Sequence, residues 1–411
     1  MKIYLPPKVK YIIDKIYENN YEAYIVGGCV RDALLGIEPN DYDITTSAPP
    51  NVILDIFNNF KCIETGIQHG TVSVLMEGDI YEITTYRVES DYKDHRRPNT
   101  VDFTSKLEED LKRRDFTINA MAYNEAVGLV DLFGGKKDLK KKIIKTVGNP
   151  YDRFNEDGLR MIRAIRFSSK LDFLIEKETL LAIYDNAYTI KNISLERITE
   201  EFTKIILSDK PQNLIYLFKT KLLNYLNINK EESEEKLYEL YNEISILNEI
   251  EKDLVKRLLL LDYLIEKIKI NCESLCQTLI YSNKIKKNHS TIMLCIKSID
   301  INKLDKISIK TILNKIDKTL FEQFLDISKV IYKDEKKINN IIDIIRKIEE
   351  NNECYTIKSL NINGRDIMDL GYKNKEVGII LEKLLQEVIK NPKLNNKNLL
   401  INKTSEMKKL F

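Results

Sequence analysis

Residues 24–43 read Y-I-V-G-G-C-V-R-D-A-L-L-G-I-E-P-N-D-Y-D, and the order of residue types in this stretch decides the fold. Tyr24, Ile25 and Val26 form a β-type apolar run, Gly27-Gly28 interrupts it, and Val30, Leu34 and Leu35 then fall at helical spacing. The pattern predicts strand, tight turn, helix. Two glycines at a helix start let backbone N–H groups approach a ligand with no Cβ in the way, the helix end adds partial positive charge, and Arg31 adds a full one. Such a turn suits a phosphate chain. Asp41 and Asp43 stand two apart in D-Y-D-I-T-T, a segment of strand character, which predicts both carboxylates on one face. Beside a phosphate cradle, a carboxylate pair of this kind suits Mg²⁺. Taken singly, each half also fits an ordinary turn or a solvated, capping aspartate. Their order within one compact unit is what makes them specific.

The whole chain of 411 residues is long enough for two or more domains. No apolar segment approaches the roughly 20 residues of a membrane helix, and M-K-I-Y-L-P-P-K lacks the apolar core of a signal peptide. A soluble cytoplasmic protein is expected. Six scattered cysteines read as reduced core residues, because Cys272 and Cys276 have neither a second pair nor a histidine cluster to complete a zinc site. Residues 1–125 carry 14 Lys and Arg against 21 Asp and Glu, a balance of −7, which leaves +9 for the remainder. The acidic part holds the suspected metal site, and the basic part suits either a polyanion or plain solvent. Eleven of the 14 glycines lie at or before Gly158, none falls in 159–363, and no proline occurs in 212–391. The fold class expected is therefore α+β, a head with a small mixed β-sheet and helices followed by an all-α remainder.

Along the chain, 8–18 and 51–60 read as helices, and 70–87 as a hairpin turning at Glu77-Gly78-Asp79. Glu82 is a lone carboxylate in the β-forming run Y-E-I-T-T-Y-R, a place that suits a residue facing water or a cation. Residues 87–98 are too charged and irregular for a strand and read as a loop. Ser105-Lys-Leu-Glu108 has the form of a capping box for a helix leading into R-R-D-F-T-I-N-A-M-A, residues 113–122. Further on, N-E-D-G-L-R-M-I-R-A-I-R-F spans 155–167; on one helix, Asp157 and Arg160 would share a face, as would Glu156 and Arg160. Its arginines also fit a plain charged face, with Asp157 as a cap and Glu156 paired to Arg160.

G-G-C-V-R-D with D-Y-D, then R-R-D-F-T-I-N-A-M-A and E-D-x-x-R, resemble the class II CCA-adding tRNA nucleotidyltransferases and bacterial poly(A) polymerases of the polymerase-β-like superfamily. The resemblance is dense over 24–205 and returns at 360–400. It implies a catalytic head at 1–125, a base-recognising neck at 126–210, a helical body at 211–350 and a tRNA-binding tail at 351–411. It also implies two Mg²⁺ ions held by Asp41 and Asp43 with help from Glu82. Gly27, Gly28, Arg31, Arg114, Asp115 and Asn119 would hold ribose and phosphates. Asp157 and Arg160, continued by Arg163 and Arg166, would contact the nucleotide base. The element I-S-L-E-R-I-T-E-E, residues 193–201, would buttress that helix, Gly134-Gly135 would hinge head to neck, and a full-length 87–98 loop disfavours an enzyme that stops at CC. The implied partners are tRNA, CTP and ATP.

The implied chemistry is sound: a carboxylate accepts from the exocyclic amine that C and A share, while a guanidinium donates to the neighbouring ring position. U and G present a carbonyl there instead. The rival readings are an enzyme that adds only the terminal A, a poly(A) polymerase, and a catalytically silent RNA-binding protein. A P-loop is excluded, since no G-x-x-x-x-G-K-[ST] occurs.

Overall fold

The structure, a computed structural model, describes residues 2–93 and 97–407. Helix α1 (Pro7–Glu18) buries Val9, Ile12, Ile13 and Ile16, the single face that spacings of three and four create. Strand β1 (Ala23–Val26) is buried along its whole length and is followed by α2 (Gly28–Leu34), β2 (Ile44–Thr46) and α3 (Pro50–Ile56). After β3 (Lys61–Ile63) comes the expected hairpin, β4 (Thr71–Met76) and β5 (Asp79–Thr85). Glu77 and Gly78 at its tip both take positive φ, 50° and 92°, as a tight two-residue hairpin turn requires.

The charged run after β5 differs from expectation. Arg87–Lys93 (β6) and Arg97–Phe103 (β7) pair antiparallel with one another as a separate ribbon, while residues 94–96 lie outside the described residues. A two-stranded ribbon is defined by backbone pairing and needs no alternating apolar face, so composition alone hid it. The capping box at Ser105 does not form either. Helix α4 (Leu107–Lys112) starts after Lys106, which has no side-chain cap and whose own N–H donates to Thr104 Oγ1 at 3.2 Å.

Strands β8 (Ala122–Asn124) and β9 (Gly128–Val130) complete a seven-stranded sheet of order β3-β4-β5-β2-β1-β8-β9. Only β2 and β5 run parallel in it, Ile44 opposite Ile83. The centre of the sheet thus brings the ends of β1, β2 and β5 side by side. Helix α5 (Gly135–Lys141) leads to β10 (Ile143–Ile144), which pairs in parallel with β11 (Leu174–Ile175). Between and after these come α6 (Pro150–Glu156), α7 (Leu159–Leu171), α8 (Lys177–Asn186) and α9 (Leu195–Ile206).

The remainder is helical, and the chain forms two compact units: residues 1–248 with 264–280, and 249–263 with 281–411. In the second unit, side-chain caps start successive helices at Ser282, Asp305, Asp317, Asp334 and Asn363, each supplying an acceptor for an orphan N–H. Its last helices enclose Ile362, Ile367, Ile380, Leu384, Leu385, Val388 and Leu400. Among the described residues no helix is long and apolar enough to cross a membrane. Cys29, Cys276, Cys295 and Cys354 are buried, as core residues would be, but Cys62 and Cys272 are half-buried rather than core.

Gly134 has a backbone explanation and Gly135 a packing one. Gly134 sits at φ 76°, and a Cβ on Gly135 would stand 2.2 Å from the Thr117 carbonyl oxygen. Helix α5 therefore presses its first turn directly onto the backbone of the 117–119 turn. Overpacking of this kind costs about 1–3 kcal/mol, so Gly135→Ala is expected to lower the thermal midpoint by several degrees, measured by circular dichroism, and to reduce activity by displacing Asn119.

Candidate active site

Gly27 is the crossing point. It takes φ 81°, its N–H donates to Met121 O at 3.1 Å, and a Cβ there would lie 3.1 Å from Arg114 Nη1, 3.8 Å from Asn119 O and 4.0 Å from Asp43 Oδ2. The turn, one of the paired acids and the R-R-D-F-T-I-N segment therefore meet within a few ångströms. Among the described residues no side chain caps α2, which leaves its first-turn N–H groups without a side-chain acceptor.

Asp41 and Asp43 lie just before β2 rather than within it, with Asp43 O accepting from Val26 N at 3.0 Å. Asp43 is exposed by area yet closely packed. Desolvation, the largest influence, and the like charge of Asp41 push its carboxyl above the ordinary 3.8, while Arg114 pulls the other way. Asp43 and Glu82 each stand one residue before the paired Ile44 and Ile83, and Glu82 is exposed on β5. Among the described residues no group of three or more His, Cys, Asp and Glu side chains is placed to hold a metal ion. The donor set nevertheless fits Mg²⁺: it offers hard oxygens with no thiol or imidazole, and a cation would relieve the raised Asp43 carboxyl and its repulsion from Asp41.

Arg31 does not project into an open cradle. It is buried, donates to Asp32 Oδ1 at 2.7 Å and to Asn119 Oδ1 at 2.8 Å, and lies 5.3 Å from the Phe167 ring centre. Asn119 in turn donates to Asp115 Oδ1 at 3.2 Å, and Arg163 grips Asp115 Oδ2 at 2.9 and 2.5 Å. Burial alone would push the Asp115 carboxyl up; Arg163 and these hydrogen bonds override it and hold it at about 2, against an ordinary 3.8.

The E-D-x-x-R segment is not one helix. Helix α6 ends at Glu156, Asp157 is extended (φ −140°, ψ 106°), and α7 starts at Leu159. Asp157 and Arg160 consequently do not share a helical face. Asp157 Oδ1 accepts from Leu159 N at 3.0 Å and Oδ2 faces Arg197 Nη2 at 3.3 Å, whereas Arg160 pairs with Glu156 at 2.5 Å and donates to Arg113 O at 3.1 Å. Arg166 stands 2.7 Å from Glu201. The 193–201 element thus braces α7 through Arg197 and Glu201.

Sequence reasoning missed Asp110. In L-E-E-D-L-K it reads as one more first-turn acid of a helix, yet it is fully buried and contacts both Arg113 and Arg114. The signal available was D-x-x-R-R, which puts both arginines one turn from the acid.

Residues 23–145 match the family model of the poly A polymerase head domain, and 172–230 match that of a probable RNA and SrmB-binding site of polymerase A. The chain is 39% identical to the CCA-adding enzyme of Ligilactobacillus salivarius over 96% of its own length and 95% of that protein's. It is 54% identical over 200 residues, 49% of each chain, to the CCA-adding enzyme of Limosilactobacillus reuteri. In three dimensions it is similar to the Bacillus stearothermophilus CCA-adding enzyme crystallised with CTP, with a TM-score of 0.77 at 28% identity over 99% of both chains.

Asp115 carries a pH prediction. A carboxyl held below its unfolded value contributes stability that is complete above about pH 4 and is lost as the pH falls towards 2. The shift corresponds to roughly 2 kcal/mol. Asp115→Asn is expected to be less stable than wild type by about that amount at pH 7, with the gap closing between pH 4 and pH 2 in thermal unfolding followed across that range.

Proposed function

This chain belongs to the CCA-adding tRNA nucleotidyltransferases, and we propose that it builds C, C and A on the tRNA 3′ end from CTP and ATP, releasing pyrophosphate, at the site around Gly27. The observation that carries this reading is that Arg114 Nη1, the Asn119 carbonyl oxygen and Asp43 Oδ2 all stand within 4.0 Å of the point where a Cβ on Gly27 would lie, which supports a common site for triphosphate, sugar and metal. Arg114 and Asn119 orient the nucleotide, and the open turn of Gly27 and Gly28 admits its phosphates where a side chain would collide. Bound by Asp41 and Asp43 with Glu82 alongside, two Mg²⁺ ions would make the terminal 3′-hydroxyl more acidic and neutralise the departing pyrophosphate.

Base choice falls to Asp157, at the α6–α7 break, with Arg160 in the first turn of α7; Arg163 holds that helix against the sugar site through Asp115, and Arg166 holds it against α9 through Glu201. A carboxylate fixed by Leu159 N and Arg197 keeps lone pairs for the amine of C or A. Facing the carbonyl of U or G, it would be left opposite another acceptor, which costs roughly 1–3 kcal/mol.

The deciding assay supplies tRNA lacking C-C-A with each nucleotide in turn. Incorporation of CTP followed by a single A is expected. Addition of A alone, or of many As, would instead identify the A-adding or poly(A) rival. Asp41→Ala should abolish incorporation while tRNA affinity, read by gel shift, stays near wild type; retained turnover would remove the metal assignment. Asp157→Ala should keep chemistry but accept UTP more readily, by on the order of 10-fold.

A further inference from the structure

We infer that Asp110 is a positioning residue for nucleotide binding, acting through Arg114. The inference rests on the reading of Arg114 as a nucleotide contact and adds the group that aims it. Asp110 lies on α4 with no exposed surface, next to the apolar cluster of Tyr24, Val26, Tyr86, Leu111 and Ala122. A lone carboxylate there would be costly to bury, so its partners are obligatory. Oδ1 accepts from Arg113 Nε at 3.0 Å and Nη2 at 2.7 Å; Oδ2 accepts from Arg114 Nη2 at 3.2 Å and lies 3.3 Å from Thr45 Oγ1, whose one proton it shares with Thr84 O at 3.2 Å. Burial opposes its charge, yet the two arginines hold its carboxyl below the ordinary range.

This arrangement joins three parts of the site. Thr45 lies on β2, two residues beyond Asp43. Arg113 offers its carbonyl to Arg160 of the base-reading segment at 3.1 Å. Arg114, tethered by Nη2, places Nη1 against Gly27, and its buried Nε has no hydrogen-bond partner among the described residues. A guanidinium held by one amine in this way presents its remaining donors in a fixed plane, which matches ribose or phosphate oxygens. Without the Asp110 charge, two adjacent guanidiniums would repel, and Arg114 would regain the rotamer freedom of a long side chain.

Steady-state kinetics on the full-length chain, with tRNA acceptors and varied CTP or ATP, tests this in Asp110→Asn, Arg114→Ala and the double variant. Asp110→Asn and Arg114→Ala are each expected to raise KM about tenfold with kcat within about threefold, the mark of lost binding rather than lost chemistry. The double variant should be no worse than Arg114→Ala, because the two act as one unit. Additive effects, or a folded Asp110→Asn with normal KM, would overturn the inference while leaving the Arg114 reading intact. Arg114→Ala with normal KM would remove both. Should Asp110→Asn not fold, Thr45→Val removes one bond to the same carboxylate and preserves strand propensity. A KM raised about two- to threefold would then support the inference, and an unchanged KM would overturn it.

Discussion

Buried carboxylates persist only where cations face them, and that requirement organises this molecule. Asp115 and Asp110 are three-dimensional fixed points: each is nearly or fully withdrawn from water, and each is met by guanidiniums from elsewhere in the sequence or one helical turn away. The Asp115–Arg163 pair spans 48 residues and so pins α7 to the turn that follows α4. Arg31 and Asn119 extend the same network to the glycine turn. The sheet supplies strand ends, and the ion pairs tie α7 to them.

The break between α6 and α7 has the same logic. A continuous helix would have set both Glu156 and Asp157 on the Arg160 face. Instead the chain extends at Asp157, whose carboxylate caps α7, and Gly158 lies so close to Thr189 that a Cβ would sit 3.0 Å from its hydroxyl. Leu159 N, Arg197 and the tight approach at Gly158 hold Asp157 from three sides. In the proposed role, that rigidity is what converts a difference of one amine for one carbonyl into selectivity, because a mobile carboxylate could turn away from an unfavourable base.

What the sequence disclosed was local. Strand, turn and helix around Gly27 follow from three adjacent apolar residues and two glycines, and the 71–85 hairpin follows from alternation and its Glu77-Gly78 tip. The long-range pairings were hidden. Which of Glu156 and Asp157 meets Arg160 depends on where a helix breaks, and that is fixed by packing against Thr189 and Arg197. Asp110 looked solvated because first-turn acids usually are; only the apolar surroundings of α4 turn it inward. Arg31 was expected to face a ligand, and burial against Phe167 commits it to Asp32 and Asn119 instead.

The charge balance of the site bears on how a polyanion could enter an acidic head. Arg31, Arg113, Arg114 and Arg163 form the conspicuous basic cluster, yet they face Asp32, Asp110 and Asp115, four guanidiniums against three carboxylates. Asp41, Asp43 and Glu82 lie beyond that balance and reverse its sign. Side chains alone therefore leave the region around Gly27 net negative, and a triphosphate approaching it unaccompanied would meet repulsion within a Debye length. The arginines set geometry, each fixed by an acid, with Arg113 and Arg114 sharing Asp110, and the charge of the substrate must be answered by something else. In the proposed mechanism that is the role of the divalent cations at Asp41 and Asp43, and it explains why an acidic head and a nucleotide site occupy the same place.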